Sequence, residues 1–99
     1  MSRKALKRML EGELKVVNRL GLHARAAAKL TRLAGTFKSR IELYRADRNV
    51  EANAKSILSV LALGAAIGTE LRLRTDGADE AEAFEAVSEL FRTRFGEGD

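Results

Sequence analysis

The sequence predicts an α+β domain in which helices cover one face of a sheet, with elements in the order β-α-β-β-α-β-α. Three observations point there. Arg40-Ile41-Glu42-Leu43-Tyr44-Arg45 and Glu70-Leu71-Arg72-Leu73-Arg74-Thr75 alternate polar and apolar residues, the period of a half-buried strand. Residues 24–33 and about 79–95 carry apolar stripes at helical spacing. Turn chemistry separates these segments at Asp47-Arg48-Asn49, Gly68-Thr69 and Asp76-Gly77. A chain of 99 residues suits one domain with one core.

The elements follow in order. Residues 2–12 hold Leu6, Met9 and Leu10 among cations and read as a short amphipathic helix or a basic arm, with a break at Gly12. Residues 13–18 are rich in strand formers and give the first strand. The helix over 24–33 buries Ala27, Leu30, Leu33 and Ala34, leaves Arg25, Lys29 and Arg32 outside the stripe, and stops at Gly35. Residues 40–45 and 50–53 form a hairpin. Residues 55–63 make a short apolar helix closed by Gly64, and residues 70–75 the last strand. The final helix has an acidic start (Asp79, Glu80, Glu82) and a basic end (Arg92, Arg94), as the helix dipole favours, and buries Phe84, Val87, Leu90 and Phe91. The domain is expected over 13–95, with residues 1–12 a basic N-terminal extension and 96–99 a tail.

Composition narrows the function. There is no cysteine and one histidine, which excludes disulfides and thiolate metal sites and makes a metal centre or a hydrolytic triad poor readings. No cofactor is expected. No apolar run nears the ~20 residues of a membrane helix, and no secretory signal follows the basic start. A soluble, cytoplasmic monomer is expected. The net charge of +4 is uneven, with +9 on residues 1–48 and −5 on residues 49–99. The basic half suits an acidic protein surface or nucleic acid.

The one histidine stands in Leu20-Gly21-Leu22-His23-Ala24-Arg25, immediately before an alanine-rich helix. The first N–H groups of a helix lack intrahelical partners, and the dipole favours an anion there. A neutral imidazole nitrogen is a competent nucleophile near pH 7. If His23 attacks a phosphoryl group, the product phosphate lies where the helix N-terminus and the planar guanidinium of Arg25 can hold it. Gly21 allows a sharp turn and leaves the ring accessible. A lone histidine at a helix start is more often a cap or a surface residue, and the residues alone leave both readings open.

Two blocks carry a family resemblance. Gly21-Leu22-His23-Ala24-Arg25 with its alanine-rich helix resembles the active-site motif of the HPr family, the histidine phosphocarriers of the bacterial phosphoenolpyruvate-dependent phosphotransferase system. Asn53-Ala54-Lys55-Ser56-Ile57-Leu58-Ser59-Val60-Leu61-Ala62-Leu63-Gly64 resembles the regulatory-serine helix of the same family, and Gly68-Thr69 and residues 76–80 agree. The resemblance implies an open-faced β-sandwich with three helices over a four-stranded antiparallel sheet. It implies a carrier without turnover of its own: His23 accepts phosphate on Nδ1 from phospho-enzyme I, Arg25 supports the phosphoryl group, and enzyme IIA domains receive it. Ala26 departs from the family's proline after that arginine. Alanine is a good helix former and restores an N–H, so the chemistry is expected to survive with a slightly softer helix start.

Ser56 alone reads as an N-cap. By resemblance it matches the serine that HPr kinase/phosphorylase modifies, and a phosphate there would add negative charge beside the docking surface. Ile57, Leu58, Val60, Leu61 and Leu63 cannot all face one core. Either the helix is deeply buried or Leu58 and Leu61 form an exposed patch. The resemblance implies docking of partners through Ala24, Arg32, Ile57, Leu58 and Leu61. Two other readings stand beside the carrier: a regulatory paralogue without a direct role in sugar transport, and a small basic nucleic-acid binder. The latter lacks a stacking platform, since the chain has a single tyrosine and no tryptophan.

Overall fold

The computed structural model describes residues 9–98. The helix or arm expected over residues 2–12 falls mostly outside them. Four strands, β1 (Leu10–Lys15), β2 (Arg40–Arg45), β3 (Val50–Asn53) and β4 (Glu70–Asp76), form one sheet in the order β1-β4-β2-β3, with every neighbour antiparallel. Three helices, α1 (Ala24–Ala34), α2 (Ile57–Leu61) and α3 (Glu80–Arg92), complete the expected order. None of these is long and apolar enough to cross a membrane.

Strand alternation sorts the two faces. Ile41, Leu43, Leu71 and Leu73 point to the helices and are essentially fully buried. The opposite face carries charge instead. There Arg74 meets Glu11 at 3.1 Å and Glu42 at 3.6 Å, and Arg72 meets Glu13 at 3.4 Å. These cross-strand pairs keep the open face wetted. α3 packs on β1 and β4, and α1 packs against α2 and α3.

The first strand begins earlier than expected and contains Gly12, where the sequence predicts a break. Gly12 pairs with Leu73, and a Cβ at this position would lie 2.6 Å from Cζ of Phe84. The missing side chain lets α3 approach the sheet, so this glycine serves packing rather than a turn. α2 is shorter than the 55–63 expected, because Ser56 caps it by accepting from the Ser59 N–H at 3.3 Å. α3 ends at Arg92 rather than near 95. The Thr93 hydroxyl bonds back to the Glu89 carbonyl at 2.9 Å, and a short 3-10 turn over Arg94–Gly96 follows. Phe95 in that turn adopts φ 58° and sets its ring 4.9 Å from that of Phe91, both in the core. The turn is thereby anchored from inside.

Asp79 joins α3 to the entrance of β2. Its carboxylate accepts from the Lys38 and Ser39 N–H groups at 2.9 Å each and from the Ser39 hydroxyl at 2.6 Å. The Ser39 hydroxyl leads the causes, with the two backbone donors, that hold this carboxyl at about 2 against an ordinary 3.8. Because the folded value is depressed, the stabilisation is complete above the unfolded value and is lost as pH falls towards about 2. Urea unfolding of the native chain and Asp79→Ala between pH 7 and pH 2 should show a gap in midpoint that narrows below about pH 4. A gap independent of pH would refute this account of Asp79.

Candidate functional site

The site is built by a tight loop, a helix start and the chain's last turn. Buried Asn18 opens the loop: its carbonyl accepts from the Gly21 N–H at 3.1 Å, and its Nδ2 donates to the Gly21 carbonyl at 2.7 Å. Gly21 adopts φ 69°, and a Cβ there would lie 2.7 Å from the Ala65 carbonyl oxygen. Leu22 N–H then donates to that same carbonyl at 2.9 Å, and its side chain is buried. The loop is thus fastened to the segment that follows α2, and His23 has one place to go.

His23 is the N-cap of α1, with extended backbone (φ −77°, ψ −178°). Its carbonyl accepts the first helical bond, from Ala27 N–H at 2.8 Å. Its Nδ1 accepts from the Arg25 N–H at 3.3 Å, so one nitrogen faces the unpaired donors of the helix start. Its Nε2 lies 2.5 Å from Oε2 of Glu97. The other carboxylate oxygen accepts from Nδ2 of Asn18 at 3.1 Å. The side chain of His23 keeps 26% of its exposure, enough to be reached from solvent. The carboxyl of Glu97 is held below the ordinary carboxylate range, first by the hydrogen bond with His23, against opposing burial, with Asn18 and the charge of Arg25 adding to the effect.

Arg25 and Glu97, which contact the ring, also line an open cleft of about 320 Å³ together with Arg19, Leu20, Lys29, Gly96 and Gly98. Lys29 donates to the Phe95 carbonyl at 2.6 Å and ties α1 to the last turn. Three cations against one carboxylate give the cleft a positive field, suited to a phosphoryl group.

The other expected residues fall as follows. Ala24, Arg25 and Arg32 are exposed on α1, while Ala26 is fully buried and helical, so the helix start is intact without a proline. Leu58 is 76% exposed, and Ile57 and Leu61 are 37% exposed each; Val60 and Leu63 are buried. The apolar surplus of α2 therefore lies at the surface. Leu20 and Ile67 are also exposed, at either side of the contact between Gly21 and Ala65–Ala66.

Three further residues make contacts for which the sequence holds no local signal. The sequence places Asn18 only at the end of the first strand, and Glu97 in a tail. Arg45 ends a half-buried strand in the sequence. It is buried, donates to the Leu63 and Gly64 carbonyls at 2.8 and 2.9 Å, and pairs with Asp47 at 2.8 Å. That fork closes the C-terminal end of α2.

A family model described as the PTS HPr component phosphorylation site matches residues 10–93. The chain belongs to the HPr family. Phosphocarrier protein HPr of Cupriavidus necator is 50% identical over 91 residues, covering 92% of this chain and all of its own length. Phosphocarrier protein HPr of Xylella fastidiosa is 53% identical over 89 residues, covering 90% and 98% of the two chains. Among solved structures, HPr-C-His from Thermoanaerobacter tengcongensis superposes with a TM-score of 0.85 at 37% identity, over 91% of this chain and 99% of that one. The four-stranded antiparallel sheet under three helices is the HPr fold, the open-faced sandwich expected from the resemblance.

Proposed function

We propose that His23 is the residue through which this chain works as a phosphocarrier of the phosphotransferase system, accepting phosphate on Nδ1 from phospho-enzyme I and passing it to enzyme IIA domains. The function is that of the family. The observation that supports the residue is the N-cap geometry, in which Nδ1 of a solvent-reachable imidazole faces the donors of α1 at the edge of a cationic cleft. As the N–P bond forms, the Arg25 N–H gives up the Nδ1 pair and turns to the phosphoryl oxygens beside it. Arg25 adds a planar, charge-assisted contact. The chain has no turnover of its own in this reading: phosphate enters on one partner and leaves on another. It works in the cytoplasm as a monomer. The carrier domain spans 13–95, with β1 reaching back to Leu10 and the last turn reaching forward to Glu97; the residues before Leu10 are an extension of unassigned role.

Partners dock on Ala24, Arg32, Ile57, Leu58 and Leu61, where an apolar patch has a basic rim; the cations steer acidic surfaces to it. Ser56, which caps α2 beside the patch, is a candidate for modification by HPr kinase/phosphorylase. Added negative charge there opposes docking. Transfer from enzyme I and phosphoenolpyruvate tests the scheme. Label should appear on the native chain and be absent from His23→Ala. Leu58→Ala should fold within about 0.5 kcal/mol of the native chain, as an exposed site does, yet accept phosphate more slowly. Ser56→Asp should lag Ser56→Ala. Label on His23→Ala would overturn the assignment, and native rates in Leu58→Ala and Ser56→Asp would remove the docking scheme.

A further inference from the structure

Three segments far apart in the chain converge on the imidazole of His23: the loop at Asn18, the start of α1, and the turn after α3. The carboxylate of Glu97 is held at both oxygens, by Nε2 of His23 at 2.5 Å and by Nδ2 of Asn18 at 3.1 Å. Asn18 is fully buried and also bonded to the Gly21 carbonyl, so it cannot swing with the tail. The turn that carries Glu97 is fixed as well. Gly96 N–H donates to the Thr93 carbonyl and Glu97 N–H to the Arg94 carbonyl, both at 2.9 Å, while Lys29 holds the Phe95 carbonyl at 2.6 Å and the Phe95 ring lies in the core.

An ionised carboxylate accepts and cannot donate. The proton in the 2.5 Å contact therefore sits on Nε2 of His23. Nδ1 is then the nitrogen with the free electron pair, and the Arg25 N–H at 3.3 Å points to that pair. Two contacts from different parts of the chain select the same tautomer.

We infer that Glu97 is a positioning residue for phosphoryl transfer, holding the Nε2–H tautomer of His23 and balancing the positive charge the ring acquires when Nδ1 attacks. The inference rests on the reading of His23 as acceptor. In the step, the electron pair of Nδ1 forms the N–P bond while the bond from phosphorus to the donor's leaving group breaks, that group keeping the bonding pair. No proton leaves His23. Nε2–H is retained, the ring becomes cationic, and the phosphoryl oxygens keep their negative charge. In the onward step the N–P pair returns to the ring, which is neutral again with its proton still on Nε2. Glu97 faces the cation in the loaded state, while Arg25 and the N–H groups of α1 face the phosphoryl oxygens. The division of labour is that of a carboxylate behind an imidazole in a catalytic triad, which orients the ring and stabilises its charged form without taking its proton.

The test uses the full chain, native and as Glu97→Gln, Glu97→Ala and His23→Ala, with 15N-labelled histidine. At alkaline pH the 15N shifts of His23 should place the proton on Nε2 in the native chain, with both tautomers populated in Glu97→Ala. Phosphorylation by enzyme I and phosphoenolpyruvate should slow about tenfold in Glu97→Gln and Glu97→Ala, the effect of one charge-assisted hydrogen bond, with the label still on His23. Native rates in both Glu97 variants, or an Nδ1–H signal in the native chain, would overturn the role of Glu97 and leave His23 as acceptor. An unlabelled native chain, or label that survives His23→Ala, would overturn the acceptor reading itself.

Discussion

Valine in place of Gly21 should lower the rate of phosphate uptake about 100-fold, the effect of displacing a reacting group by about 1 Å, and should cost about 2 kcal/mol of stability through left-handed backbone strain. Gly21 stands at φ 69°, a region that a β-branched residue enters only under strain. Space forbids the side chain as well. A Cβ would lie 2.7 Å from the Ala65 carbonyl oxygen and 3.0 Å from Cα of Ala66, and both neighbours are backbone. The loop must move away, and the Leu22–Ala65 bond that fastens it must lengthen. His23 is the next residue, so Nδ1 loses its register with the Arg25 N–H. Gly21→Ala meets the same contacts without β-branching and should show the same defect more mildly. The check is the initial rate of labelling, with urea unfolding in parallel. A native rate in Gly21→Val would mean that the loop does not place the imidazole.

Methionine in place of Arg45 should cost about 3 kcal/mol, since two carbonyls lose a charged donor and the replacement cannot restore it. For a domain of this size that is a fall in Tm of roughly 15 °C. The aliphatic stem of Arg45 is retained in spirit by methionine, so packing changes little and the effect reports the guanidinium. The Leu63 carbonyl, buried behind the end of α2, is the acceptor that suffers most. Loss of the fork should also loosen Leu58 and Leu61 and weaken docking, though the chemistry at His23 stays. Thermal unfolding by circular dichroism measures the first effect. A fall under about 1 kcal/mol, the range of ordinary surface substitutions, would show that water replaces the guanidinium at those carbonyls.

Arg45 also shows what the sequence made legible. Period-two alternation puts Ile41, Leu43 and Arg45 on one face, so a cation was written on the buried side of β2. Its partners, the carbonyls ending α2, depend on how α2 sits against the strand and have no local signal. The element order, the hairpin and the N-caps at His23 and Ser56 followed from local chemistry, because alternation, helical stripes and capping residues act over a few positions. Gly12 misled because a strand glycine that yields room to Phe84 looks like a turn glycine until the helix is in place. The sequence extends α3 too far because Phe95 continues its apolar spacing, although the backbone has already left the helix at Thr93. Glu97 could not be read at all. It lies in a run of glycines and acids without period, and only the anchoring of Phe95 brings it to Nε2 of His23.

Phosphate carried on Nδ1 of His23 leaves a signature in the imidazole itself. The most direct measurement is the 15N spectrum of the histidine-labelled full chain before and after loading by enzyme I and phosphoenolpyruvate, with phosphorus coupling identifying the bonded nitrogen. The loaded protein should show a phosphorus-coupled Nδ1 and a protonated Nε2. A phosphorus-coupled Nε2, or a loaded protein whose histidine spectrum is unchanged, would contradict the assignment of phosphate to Nδ1.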